Sequence, residues 1–96
     1  MNTRKATSNA AQIEAMHKSG ARWHERGTLS ITVDGRKVHT HNYYKCDKLT
    51  AEQRERIKFE HPFVEFFGSS PMYAPEQRSV IVAFPKAARL RQIANA

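Results

Sequence analysis

The sequence predicts an α+β fold, a small antiparallel sheet of two hairpins with two to three helices packed on one face. Three observations lead to this prediction. Alternating apolar and polar residues surround an Asp34-Gly35 turn, two short apolar segments follow in the second half, and three stretches carry helix-capping or helical-spacing signals. Ninety-six residues suit one compact domain. We expect a single domain over residues 1–96, with residues 1–8 as a flexible tail.

The first two helices are predicted from their capping residues. The first begins near Asn9 and reaches Gly20, where it either breaks or continues, because glycine in a helix costs about 1 kcal/mol relative to alanine. The second helix occupies residues 49–61, with Thr50 and Gln53 spaced as a capping box.

The second half of the chain carries two strand predictions, residues 63–67 and 79–84, followed by a third helix over residues 86–94. A chain with few leucines must bury its other large apolar side chains. The side chains expected in the core from these segments and from the second helix are Ile57, Phe59, Phe63, Phe66, Phe67 and Phe84.

Residues 28–44 carry the strongest local pattern, a hairpin that turns at Asp34-Gly35. A two-residue turn places Ile31 opposite Val38, and strict alternation then separates two faces. The face expected to be buried holds Leu29, Ile31, Val33, Val38 and Tyr44. The face expected to be open holds Thr28, Ser30, Thr32, Lys37, His39, His41 and Tyr43.

Charge indicates the class of partner. The chain has 16 Lys and Arg against 9 Asp and Glu, a net charge of +7, and a pI of about 10.0. Such an excess favours nucleic acid or an acidic protein surface. The leading prediction is a non-enzymatic basic protein that binds nucleic acid, or a nucleic-acid-processing complex, through the open hairpin face. The expected binding residues are Arg36, Lys37, His39, His41, Tyr43 and Lys45.

An alternative prediction comes from residues 68–78, a long connection for so small a domain. Its prolines flank adhesive Met and Tyr side chains, a composition typical of protein docking. The alternative is therefore a phage-type inhibitor or modulator of a host nuclease, recombination or defence enzyme. The expected partner-binding residues are Pro71, Met72, Tyr73 and Pro75.

Catalytic and metal chemistry have weaker support in the sequence. A metal-free ribonuclease would need residues such as His39 or His41, Glu65 and Arg78, but no spacing places them together. His39 and His41 emerge on one face of a strand with Cys46 nearby, yet no second ligand pair accompanies them. We expect no catalytic residues, no metal and no cofactor.

Cysteine content and hydropathy favour a cytoplasmic protein. The lone Cys46 excludes a disulfide framework and is expected to be a structural thiol. No apolar run is long enough for a membrane span, and no apolar stretch follows the charged N-terminus as a secretory signal requires. This general character resembles that of accessory proteins of phages and mobile elements, a resemblance of composition rather than of any motif.

Overall fold

The computed structural model describes residues 6–68 and 79–95, and these form three α-helices and one four-stranded antiparallel sheet. The α+β fold class is therefore confirmed. The predicted flexible tail, residues 1–8, lies largely outside the described residues. In chain order the elements are α1 (Asn9–Ser19), β1 (Trp23–Val33), β2 (Arg36–Cys46), α2 (Ala51–Glu60), β3 (Glu65–Gly68), β4 (Val80–Pro85) and α3 (Ala87–Ala94).

The strand order in the sheet is β1-β2-β4-β3. β1 and β2 form the first hairpin, and β3 and β4 pair as the second. The two hairpins join where β2 pairs with β4, and this pairing covers only His41 to Cys46 of β2. The part of the first hairpin nearer its turn therefore extends beyond the rest of the sheet as a two-stranded ribbon.

The predicted hairpin turn is confirmed. Asp34 and Gly35 both have positive φ, 51° and 76°, as a type I′ turn requires, and such a turn matches the right-handed twist of the strands. Ile31 pairs with Val38, as the two-residue turn predicts.

A β-bulge changes the faces that strict alternation predicts. Ser30 pairs with His39, but the next residue along β1, Leu29, pairs with His41, so Thr40 is an extra residue on β2. Beyond the bulge, every β2 side chain lies on the opposite face from the one alternation assigns. The prediction that His41 and Tyr43 share a face with Lys37 is therefore wrong.

The apolar face of the hairpin is not the core, contrary to the sequence prediction. Ile31 is 41% exposed and Val33 is 45% exposed, because β4 pairs with β2 only from His41 to Cys46 and no third strand of the described sheet extends along the ribbon. The buried cluster lies instead where α1 and α2 meet the other end of the sheet. It contains Met16, Ala21, Tyr44, Cys46, Ile57, Val64, Val82 and Phe84.

The helix boundaries follow their capping residues. Ser8, one residue before the predicted cap, accepts a hydrogen bond from the Ala11 amide. Gly20 ends α1 in the left-handed conformation, with φ of 79°, and the chain re-enters as β1 at Trp23 rather than continuing the helix. The capping box of Thr50 and Gln53 is confirmed, with both of its hydrogen bonds present.

The side chains of α2 separate sharply by burial. Ile57 is fully buried, as predicted, whereas Phe59 is 88% exposed, so its predicted place in the core is wrong. The two residues are two positions apart, and such residues on a helix do not face the same direction. Phe67 is also 41% exposed, while Phe84 is buried.

This difference predicts two opposite stability outcomes on one helix. Ile57→Ala should lower the free energy of unfolding by about 2 to 5 kcal/mol, because it leaves a cavity in the core. Phe59→Ala should change it by less than about 0.5 kcal/mol. Urea denaturation followed by circular dichroism measures both, and a large loss for Phe59→Ala would contradict the exposed position.

Candidate nucleic-acid interface

The ribbon has two chemically different faces, because residues opposite one another on paired strands share a face. The polar ribbon face consists of Thr28, Ser30, Thr32, Lys37 and His39. The apolar ribbon face consists of Leu29, Ile31, Val33 and Val38, and Arg36 joins it at the turn, opposite Val33.

The polar ribbon face presents hydroxyl groups beside basic side chains. The Ser30 hydroxyl and His39 Nδ1 are hydrogen-bonded at 2.7 Å, which orients the imidazole against the neighbouring strand. Lys37 lies opposite Thr32 and is exposed. Within residues 6–68 and 79–95, neither Lys37 nor Arg36 forms a salt bridge. The cations at this end of the ribbon are therefore not neutralised by described carboxylates.

The same face continues towards α1. An open depression of about 230 Å³ lies there, and Arg26, Thr28 and Asn42 are among its lining residues. The Asn42 amide donates to Asn9 Oδ1 at 2.9 Å, and Arg26 is exposed. The sequence predictions did not include Arg26, because the predicted hairpin began at residue 28 whereas β1 begins at Trp23, or Asn42, because the bulge on β2 moves it to the face of Lys37.

Half of the described acidic side chains lie on the helices α1 and α2. Glu14 of α1 and Glu52, Glu55 and Glu60 of α2 lie on the helices, and three of them hold a described cation in an ion pair. The polar ribbon face itself contains no carboxylate; Asp34 lies at the turn. Four of the eight described Asp and Glu residues therefore lie on α1 and α2, where Lys18, Arg54, Arg56 and Lys58 balance them, and the polar ribbon face carries cations with no carboxylate of its own.

Tyr43 and Lys45, both predicted to bind with Lys37, lie on the opposite face of the sheet because of the bulge. The Tyr43 hydroxyl donates to Glu25 at 2.8 Å, and this bond raises the pKa of Tyr43 with a smaller contribution from burial. The ring lies against Gly27, where a Cβ atom would come within 2.8 Å of it. Tyr43 is therefore held on the sheet, away from the polar ribbon face.

His41 is buried rather than displayed. Its Nε2 is hydrogen-bonded to the Glu65 carboxylate, and its Nδ1 contacts the Thr40 hydroxyl at 2.8 Å. Arg89 of α3 donates to the same carboxylate through Nε at 3.0 Å and Nη2 at 2.6 Å. His41 therefore connects β2 with β3 and α3, and we leave it out of the proposed interface.

The cluster of His41, Glu65 and Arg89 has residue types that the ribonuclease hypothesis named. The structure brings His41 and Glu65 together and adds Arg89, which the sequence predictions did not include; Arg78 lies outside the described residues. Hydrogen bonds from Arg89 lower the pKa of Glu65, against an opposing effect of burial, and His41 lowers it further. Each group is occupied by another member of the cluster, an arrangement that links elements of the fold.

The partner-binding loop and the metal hypothesis have different outcomes. Pro71, Met72, Tyr73 and Pro75 all lie outside the described residues. Among residues that the structure describes, no group of three or more metal-ligating side chains comes together.

Cys46 is buried in the core, as expected for a structural thiol. Burial, with a smaller contribution from Asp47, raises its pKa to about 11. The thiol is therefore protonated at neutral pH and is a weak nucleophile.

In the described part of the chain, no helix is long and apolar enough to cross a membrane. Comparison of the chain with protein-family models, with curated proteins and with solved structures gives no match. The function proposed below therefore depends on the geometry and charge of the described residues.

The Glu65 cluster predicts a pH-dependent stability. Glu65→Gln should lower the free energy of unfolding by about 1 to 3 kcal/mol at pH 7, because the amide loses its ion pair with Arg89. The pKa of Glu65 is lower in the folded chain than in the unfolded chain. Its contribution is therefore complete above the ordinary carboxyl pKa of about 4.3 and is lost as the pH falls through the folded-state value.

Urea denaturation of the wild type and Glu65→Gln at pH 7 and pH 3 measures this effect. The difference between the two proteins should shrink at the lower pH. Glu55→Gln is the matched control, since Glu55 is exposed and forms no salt bridge within the described residues. An equal Glu65→Gln deficit at both pH values would contradict the assignment.

Proposed function

We propose that this protein is a non-enzymatic nucleic-acid-binding module that holds a phosphate backbone along the polar ribbon face. One observation carries the proposal. The ribbon extends beyond the sheet, and its polar face displays Lys37 and, further along, Arg26 among hydroxyl groups; neither cation forms a salt bridge with a described carboxylate. Neutralisation of phosphates by Lys and Arg supplies most of the affinity in this kind of binding.

The residues have separate roles in this proposal. Lys37 at the outer end and Arg26 at the inner end of the polar ribbon face neutralise phosphates, and Arg36, on the apolar ribbon face beside the turn, adds positive charge at the tip of the ribbon. Thr32 and Arg26 are six positions apart on β1, so these cations span about 20 Å at about 3.3 Å per residue. Ser and Thr hydroxyls between them can donate to phosphate oxygens, contacts that position a protein on a backbone without reading its sequence.

The polar ribbon face contains no Phe, Tyr or Trp, and this determines how it can contact nucleic acid. Non-specific single-strand binders add aromatic side chains on which bases stack, but Tyr43 lies on the opposite face and its hydroxyl is held by Glu25. Binding through the polar ribbon face therefore depends on the backbone, and we expect little sequence preference.

The test is a double variant, Arg36→Ala with Lys37→Ala. We expect about tenfold weaker binding near 0.1 M salt and a salt dependence of log K that is flatter by at least about 0.9, the value for the one phosphate that Lys37 no longer neutralises. Fluorescence anisotropy with labelled duplex DNA, single-stranded DNA and single-stranded RNA measures affinity and slope together.

The matched control removes the same charge from other surfaces. Lys58 of α2 and Arg91 of α3 are exposed and form no salt bridge with a described residue, so Lys58→Ala with Arg91→Ala also lowers the net charge by two. Equal losses for the two double variants would show attraction by net charge alone and would contradict a site on the ribbon.

The alternative function, docking on a host enzyme through residues 68–78, remains a separate proposal. A pull-down with and without nuclease treatment distinguishes the two. A protein partner that stays bound after nuclease supports docking, and loss of all bound material supports nucleic acid.

A further inference from the structure

The outer edge of β1 lacks the protection that edge strands usually carry. β1 is at one end of the strand order, so its outer backbone groups meet no other strand of the described sheet. Residues 28–33 contain no charged residue, no proline and no glycine. Neither β-bulge interrupts residues 28–33 of this edge. One bulge lies before Glu25, and the other has its extra residue on β2. Natural edges are normally blocked by charge, proline or a bulge.

The side chains beside this edge point to a partner as well. Leu29 and Val38 are half-buried, and Ile31 and Val33 are more than 40% exposed, all on the apolar ribbon face. Leu, Ile, Val and Phe are scarce in this chain, so two exposed and two half-buried side chains on one face are a large share of its apolar side chains. An exposed apolar patch of this kind marks an interaction surface.

The turn determines which backbone groups are free. In a two-residue hairpin the pair next to the turn, here Val33 and Arg36, exchanges both of its backbone hydrogen bonds. Alternate residues therefore direct their N–H and C=O groups away from β2. On β1 these are Thr32, Ser30 and Thr28, three consecutive outward positions on a regular edge.

We propose that a second copy of this chain pairs antiparallel with this edge, around a two-fold axis at Ser30. In that register Leu29 meets Ile31 of the other copy, and Thr28 meets Thr32. Arg26 meets Asp34, so opposite charges are joined at both ends. Apolar, Thr–Thr and opposite-charge pairs are those that stabilise neighbouring strands.

The charges select both the partner and the register. Two molecules with a net charge of +7 repel each other, but residues 28–33 form an uncharged segment through which they can approach. Moving the axis by one residue to Ile31 would bring Arg26 opposite Arg36 of the other copy. The pairing centred on Ser30 replaces that repulsion with attraction to Asp34.

The proposed dimer goes beyond nucleic-acid binding: it leaves Lys37 available to phosphate, while Arg26 pairs with Asp34 of the other copy and neutralises phosphate only in the monomer. Edge pairing leaves both ribbon faces open, so the two polar ribbon faces become one continuous surface. Four strands at about 4.8 Å spacing exceed the width of the duplex major groove, about 12 Å, so that surface would lie along phosphates instead of entering the groove. The junction is short, which is typical of weak association.

Sedimentation velocity of the purified full chain from about 5 to 200 µM tests the dimer, because this range covers weak association. We expect a concentration-dependent dimer that is lost in Ser30→Pro, which removes an outward N–H, and in Ile31→Lys. Circular dichroism checks that each variant folds. Phe59→Lys is the matched control, since it adds the same charge at an exposed apolar residue on α2 and should still dimerise.

Disulfide trapping tests the register. Residues at position 30 of the two copies should have Cα atoms about 5.5 Å apart, within disulfide range, whereas residues at position 28 should be about 14 Å apart. Ser30→Cys should therefore form a covalent dimer on mild oxidation, and Thr28→Cys should not. The native Cys46 is buried and does not compete.

A wild-type chain that remains monomeric at the highest concentration, or equal trapping at positions 28 and 30, would overturn the proposal. Binding by the Ile31→Lys variant separates this result from the function proposed above, because that variant keeps Arg36 and Lys37. A monomeric variant that still binds nucleic acid supports two independent surfaces.

Discussion

The extra residue at Thr40 is the constraint on which the remaining arrangement depends. On the turn side of the bulge, alternation gives the hairpin one apolar and one polar face. On the other side, the same strand must direct Tyr44 and Cys46 into the core beneath the helices, and it does so only because the bulge inverts its faces. One inserted residue thus allows a single strand to serve an exposed ribbon and a buried sheet. It also directs His41 towards Glu65 instead of towards solvent.

Features set by local chemistry could be predicted from the sequence. The Asp34-Gly35 turn, the pairing of Ile31 with Val38 and the capping box of α2 depend on residues near one another in the chain, and all three are present. The face inversion could not be predicted, because a bulge leaves no mark on a pattern that looks regular. The exposure of Ile31 and Val33 also depends on how far β4 extends along β2, which is a tertiary property.

The bulge also divides the predicted binding residues between the two faces. Lys37 and His39 lie between the turn and the bulge and remain on one face, as predicted, while Tyr43 and Lys45 lie beyond it and move to the other. Arg26 joins this surface because β1 begins at Trp23, several residues before the predicted strand. The ribbon that results combines a polar face, an apolar face and an unprotected edge, three surfaces of different chemistry within one short hairpin.

The strand order has a consequence for how the chain reaches this structure. β1 and β2 are joined by two residues and can pair within microseconds, whereas β2 must wait for β4, which follows an entire helix and another strand. The ribbon is therefore the first strand pairing expected to form during synthesis, and its open edge is available before the core closes. A nascent chain that exposes such an edge can associate with a neighbouring chain made from the same messenger RNA. Association between copies can therefore compete with completion of the fold.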